Sequence, residues 1–297
     1  MIQLPLIIIS VAIVSSQTIP LLSASNDELL KIANEMRAGD NNKAVKGQVV
    51  TDFGGHVTFN ANVDASPNKL FTKIDSSLLS KPTYSAFIKL FNNFNAEAGI
   101  KETRVSSTED NAETKAFLDA IETTKPYQTL LKFLQSRNHP YGKSSTALKE
   151  VISRLWFDRY SRAKGVLDSS AFEHVFMGEL KNGEVSGMHN WLRIAALEGN
   201  PKENFDYKGF IVKRNNLGTI QFSWGKEWKR GGSIFIGISP EYEMSLLTLC
   251  FLARRDTEIC KINVDGCPVE VQSYEQKQNG KSFIGTVYPK VAGPCVR

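Results

Sequence analysis

The apolar residues of this chain change their repeat part-way along it, from every third or fourth position to every second one, and that switch restricts the fold more than any motif does. Leu29, Ile32, Ala33 and Met36 fall on one helical face, as do Tyr84, Phe87, Ile88 and Phe91, then Tyr127, Leu130, Leu131 and Leu134, then Leu148, Val151, Ile152 and Leu155. Stripes of this kind are core faces, not cofactor boxes. Between Gly39 and Ser77 the repeat breaks into Asn, Gly and short alternating runs such as HVTFNANV, which read as irregular structure with room for one strand. Pro126 and the stretch from Asn138 to Gly142 mark further boundaries and put His139 in a loop. From about residue 205 the segments GFIVKR, TIQFSW and SIFIGI read as strands, and KINV and VEVQ flank Asp265 and Gly266 as a hairpin. Between them Ser239 and Pro240 open a helix, with Glu241 and Glu243 near its positive end and an apolar body to Leu252. The expectation is an α+β fold.

A chain of 297 residues buries a sizeable core, as one large domain or two lobes. Its formal charge of +5 and pI near 8.9 suit a polyanionic partner without requiring one. Residues 1–26 carry no charged side chain, and the apolar run from Leu4 to Val14 is too short to span a bilayer comfortably. They read as a signal peptide over residues 1–16, with small Val14 and Ser16 before a cleavage at Gln17 and Ser25 as a second boundary. The expected mature protein is therefore secreted, with no membrane segment. Cys250, Cys260, Cys267 and Cys295 all fall in the last fifth of the chain, and an even count in a secreted protein suggests disulfides. Cys260 and Cys267 flank the expected hairpin, so their mutual bridge is the simplest pairing, while Cys250 reads equally as a buried free thiol. The spacing offers no CxxC pair, and the chain has no HExxH.

The chemistry concentrates between Phe172 and Trp191, FEHVFMGELKNGEVSGMHNW, where His174 and His189 stand on either side of a Gly-punctuated turn. Only two other histidines exist, His56 and His139. A histidine beside apolar residues is more often a hydrogen-bonded structural group than a catalyst, but two imidazoles in one short segment offer a base and an acid together near neutral pH. They lie too far apart to form a local zinc pair on one helix face. The chain has no GxSxG elbow and no cysteine in a reactive setting, which sets aside a serine or cysteine hydrolase.

The wording around the pair, E-H-V-F-x-G-E followed by S-G-x-H-N-W, resembles the EndoU family of poly-U-preferring endoribonucleases. DYKGFI, QFSW, GGSIFIGISPEYEMSLLTLCFL and IGTVYP follow in the family's order, so the match is dense from about Leu167 to Pro289 and looser upstream. The resemblance implies a helical N-terminal lobe (residues 25–165) and a C-terminal catalytic lobe (166–297) of two small antiparallel sheets facing each other across a cleft. It implies His189 as general base, His174 as general acid and Lys229 as the cation for the phosphorane, although Lys226 and Arg230 are close by and Arg230 stands where the family usually has Pro. Ser233 matches the position that contacts the uracil edge and Tyr288 the aromatic that packs on the nucleoside. Glu173 and Glu179 match acidic positions near the histidines, able to orient an imidazole, raise its pKa or contact a divalent ion. The implied partner is single-stranded RNA containing uridines, cleaved by a monomer to 2′,3′-cyclic phosphate and 5′-hydroxyl ends. Manganese, and less so calcium, is a stimulating ion in the family; the sequence demands neither, and any metal would aid RNA binding or loop order. The alternative is an extracellular RNA-binding protein of the same fold with little or no turnover.

Overall fold

Ser25 starts the first helix with a capping box: its hydroxyl accepts from the Glu28 amide while the Glu28 carboxylate accepts from the Ser25 amide. The computed structural model describes residues 18–59, 61–100, 107–163 and 165–296; the expected signal peptide lies outside the described residues. In chain order the elements are α1 (Asn26–Ala38), β1 (Val49–Thr51), β2 (Phe71–Ile74), α2 (Ser76–Leu79), α3 (Pro82–Lys89), α4 (Ser107–Glu122), α5 (Lys125–Ser136) and α6 (Ser145–Phe157). Then come β3 (Glu179–Lys181), β4 (Glu184–Ser186), α7 (Trp191–Gly199), β5 (Phe205–Lys213), β6 (Leu217–Trp224), β7 (Glu227–Phe235), α8 (Pro240–Ala253), β8 (Ile259–Val264), β9 (Cys267–Gln278) and β10 (Lys281–Val291). The four apolar stripes are α1, α3, α5 and α6. Sequence periodicity missed α4 because its first half is polar; it anchors through Phe117, Leu118 and Ile121.

The fold is α+β, as expected. The two small C-terminal sheets run β3-β4-β7-β6-β5 and β10-β9-β8, and β10 packs against β6 and β7 to bring them together. Two details differ from the expectation. A third sheet, the β1–β2 pair, lies in the N-terminal half, and β4 meets β7 in parallel, through Glu184 and Trp228. The described residues of the HVTFNANV stretch form no strand of their own; Val57 docks beside β5, its amide donating to the Phe210 carbonyl (2.9 Å), and just beyond the stretch the Ala65 amide donates to that of Lys208 (2.9 Å).

Every residue of α8 is buried, as befits a helix that is apolar on all sides. It packs against α1, α3 and α5 on one hand and the β8–β10 sheet on the other, so one hydrophobic cluster runs from Ile19 to Val287. Among the described residues no helix is long and apolar enough to cross a membrane.

The expected Cys260–Cys267 bridge is not formed. Cys250 pairs with Cys260 and Cys267 with Cys295, with Cα separations of 5.4 and 4.0 Å. The hairpin register explains this: Cys260 opposes Val271 while Cys267 opposes Val264. The two cysteines are therefore offset by four residues along the ladder, about 13 Å at ~3.3 Å per residue, beyond the reach of a disulfide. Cys250, fully buried at the end of α8, is no free thiol.

Candidate active site

His174 lies in a single π-helical turn, Glu173–Met177, a wide turn that is often found at functional positions. Gly178 ends the turn at φ +84°, and the β3–β4 hairpin follows, reversing through Asn182 and Gly183, both at positive φ. Gly187 (φ +68°) and Met188 (φ +58°) then fold the chain back, so that the Met188 amide donates to the His174 carbonyl (3.0 Å) and the His189 amide to that of Val175 (2.7 Å). The two histidines are thus clamped together by main-chain bonds. Only glycine serves at position 187, where a Cβ would sit 1.7 Å from the His174 carbonyl oxygen.

Each imidazole is oriented through Nδ1. That of His174 donates to Glu179 Oε2 (2.8 Å), and that of His189 to the Ser233 carbonyl (2.9 Å). These bonds leave both Nε2 atoms as lone-pair nitrogens. Because β4 joins β7 only at Trp228, no strand among the described residues lies against the outer edge of β7 beyond that point, and His189 takes the carbonyl there. Tyr288 on β10 stacks on the His189 ring, with centroids 5.0 Å apart and planes 15° from parallel. The Ser233 hydroxyl bonds across the sheet to Thr219 Oγ1 (2.9 Å). Lys229, half-buried on the same strand, folds its methylenes over Gly232.

Burial and surrounding positive charge act together on these groups. Burial brings His174 down to about 4, with Glu179 opposing and Arg162 and Lys229 adding to the shift. Burial likewise holds His189 well below its ordinary value, reinforced by Lys229. Lys229 itself is lowered by burial to about 8. Burial pushes Glu179 up, but its hydrogen bond to His174 and the neighbouring positive charges outweigh that and hold it below the usual carboxylate range.

Of the residues singled out in the sequence, His174, His189, Lys229, Ser233, Tyr288 and Glu179 gather around this one edge. Glu173 serves the site through its main chain, its amide donating to Ser170 Oγ (3.2 Å) and its carbonyl accepting from the Gly178 amide (2.8 Å). Sequence reasoning missed Arg162. Its Nε lies 3.0 Å from Glu179 Oε2, Nη1 donates to the Gly285 carbonyl (2.8 Å), and Nη2 approaches His174 Nε2 at 3.5 Å. Gly285 stands at a bulge in β10, which turns its carbonyl toward this guanidinium. Arg162 lies upstream of the dense motif region in a segment without periodicity, so no local signal marks it. Also missed was the support behind His189: Asn190 caps α7 by accepting from the Arg193 amide (3.0 Å) and donates to Glu243 Oε2 (2.7 Å), a carboxyl that burial pushes up to about 8. His139 is structural, accepting from the Tyr141 amide through Nδ1 (3.2 Å).

Among the described residues no group of three or more His, Cys, Asp or Glu side chains is placed to hold a metal ion. Glu179 is committed to His174 and Arg162. Among the described residues the side chains around the histidines therefore supply no ready-made set of protein ligands for a resident metal.

Two fixed imidazoles with Nε2 available, flanked by a lysine and an arginine, define an acid–base site suited to an anionic ester. The family described as Endoribonuclease XendoU matches residues 28–289, and the chain belongs to it. The human uridylate-specific endoribonuclease is 37% identical over 277 residues, covering 89% of this chain and 66% of that protein. Uridylate-specific endoribonuclease D of Xenopus laevis is 32% identical, covering 91% of this chain and 90% of its own. The chain thus spans slightly less than two thirds of the human relative and most of the frog one. The solved structure of XendoU, described as a splicing-independent snoRNA processing endoribonuclease, superposes with a TM-score of 0.75 at 31% identity, covering 91% of this chain and 99% of that one.

Proposed function

We propose that this chain is a secreted, uridine-preferring endoribonuclease that cleaves single-stranded RNA by attack of the ribose 2′-hydroxyl on the adjacent phosphorus. The observation that carries this reading is the matched orientation of the two imidazoles, each donating from Nδ1 to a fixed acceptor. His189 Nε2 takes the 2′-hydroxyl proton, and protonated His174 gives its Nε2 proton to the departing 5′-oxygen. The P–O5′ bond breaks as the P–O2′ bond forms, leaving a 2′,3′-cyclic phosphate and a 5′-hydroxyl. Lys229 and Arg162 offset the charge that builds on the phosphorane. Both imidazoles are depressed in the free protein, so the acid is charged by the substrate: a bound phosphate anion favours imidazolium and raises that pKa.

The test is cleavage of oligoribonucleotides carrying a single U, C, A or G, beside a version with 2′-deoxy sugar at the cleavage position, with products weighed by mass spectrometry. Cyclic phosphate ends at uridine and no cleavage of the deoxy version are expected. Binding without cleavage would replace the enzyme with an RNA-binding protein. Ser233→Ala is expected to narrow the uridine-over-cytidine ratio by about tenfold, the worth of one mismatched hydrogen bond on a buried edge. Tyr288→Ala is expected to slow cleavage at every base, because it removes both a base-tolerant stacking surface and the ring that holds His189. Equal cleavage at all four bases by the wild type would defeat the uridine assignment.

Secretion is proposed on the N-terminal sequence, and packing favours the earlier of the two cleavage boundaries. Ile19 and Leu22 are buried, and the Leu22 amide donates to the Leu252 carbonyl (2.8 Å). Cutting after Ser25 would remove these contacts along with the cap of α1. Protein recovered from the medium is expected to begin near Gln17 by intact mass, and a secreted chain that still starts at Met1 would reject the signal peptide.

A further inference from the structure

Phe59 keeps 58% of its surface exposed although its main chain is held firmly. The Gln221 side chain, itself fully buried, donates from Nε2 to the carbonyls of Thr58 (2.9 Å), Phe59 (3.0 Å) and Arg230 (2.8 Å). The Phe59 ring lies over Gly231, where a Cβ would meet a ring carbon at 2.7 Å. A side chain at position 231 would therefore displace the aromatic.

The position of this ring relative to the site follows from the period of a strand. Gln221 and Thr219 stand two apart on β6 and so face the same side of the sheet. Thr219 holds the Ser233 hydroxyl while Gln221 holds the Phe59 carbonyl. The Phe59 carbonyl is thus held on the Ser233 hydroxyl's side of the sheet, by a residue about 7 Å along β6 from Thr219 at ~3.3 Å per residue, where β7 opposes Gln221 with the bulged pair Arg230 and Gly231. Arg230, sharing the same Gln221 amide, brings a guanidinium to this edge and is steadied by Asn62 Oδ1 (2.8 Å).

We propose that Phe59 is a stacking platform for the base next to the cleaved uridine, with Arg230 beside it for the linking phosphate. This rests on the ribonuclease reading and names a second nucleotide subsite for it. A single exposed ring offers too little area for a protein partner but a full face to one base, and the adjoining cation and the net charge of +5 favour a nucleic acid.

The experiment pairs protein variants with abasic substrates. Oligoribonucleotides with one uridine have each flanking base in turn replaced by an abasic ribose, and both kcat/KM and the Kd from fluorescence anisotropy are measured. With wild type, one flanking position is expected to cost about tenfold to a hundredfold when made abasic. Phe59→Ala should lose a similar factor on the intact oligonucleotide and nothing more on that abasic one. Phe59→Trp should keep wild-type behaviour, while Phe59→Leu, which still covers Gly231 but has no π face, should behave as alanine does. Wild-type rates and affinities in Phe59→Ala, or an abasic penalty that persists undiminished in that variant, would overturn the platform. If the wild type binds RNA without cleaving it, the ribonuclease reading fails, and the same cycle in Kd still decides whether Phe59 stacks on a base.

Discussion

Replacing either His174 or His189 with alanine is expected to lower kcat/KM by at least about a hundredfold with a melting curve close to wild type. After loss of His174 the Glu179 carboxylate keeps Arg162 as a partner. The pH dependence carries more information. In the free protein burial holds His174 near 4 and His189 well below its ordinary value, so both are neutral at pH 7 and the proton of the acid is scarce. kcat/KM, which reports the free enzyme, should therefore fall as pH rises above about 4, and fall more steeply past about 8, where Lys229 loses its charge. In the complex the phosphate anion favours imidazolium, so the optimum of kcat should lie higher than that of kcat/KM by about one to three pH units. Coincident optima would mean that the substrate does not charge the acid, and a wild-type rate in either alanine variant would remove that histidine from the mechanism.

Gly187→Ala is expected to match the histidine variants in lost activity, although position 187 carries no chemistry. A methyl group there would press on the His174 carbonyl, the acceptor of the Met188 amide, in a backbone conformation (φ +68°) that alanine resists. The turn must open, and the bond between the His189 amide and the Val175 carbonyl goes with it. The loss of stability should be about 2 to 4 kcal/mol, or roughly 3 to 7 °C in Tm for a chain of this length. Normal cleavage by the folded alanine variant would show that the clamp does not set the spacing of the imidazoles.

Elements with strong periodicity were legible in the sequence. The stripes of α1, α3, α5 and α6, the alternation of β5 to β7 and the Ser239-Pro240 opening of α8 each rest on local chemistry that the fold leaves unchanged. The histidine pair was readable as two imidazoles in one short segment, and the groups around it through the resemblance of their motifs to the EndoU family. Whatever depends on register or on distant partners was not. Cys260 and Cys267 looked like natural partners until the β8–β9 register set them four residues apart. Arg162 reaches Glu179 and Gly285 from a loop whose sequence says nothing of where it points. Glu243, an apparent N-terminal helix charge, turned out to be a buried partner of Asn190.

The position of α8 at the centre of the molecule has a consequence for how the protein is made. Helices α1 and α5 leave the ribosome early, yet the apolar surface they share is completed by α8, translated more than a hundred residues after α5. At ~5–20 residues per second the nascent helices wait on the order of ten seconds with that surface uncovered. The interval is long enough for chaperones to engage it, and it makes the yield of this protein depend on events during synthesis that the finished molecule no longer displays.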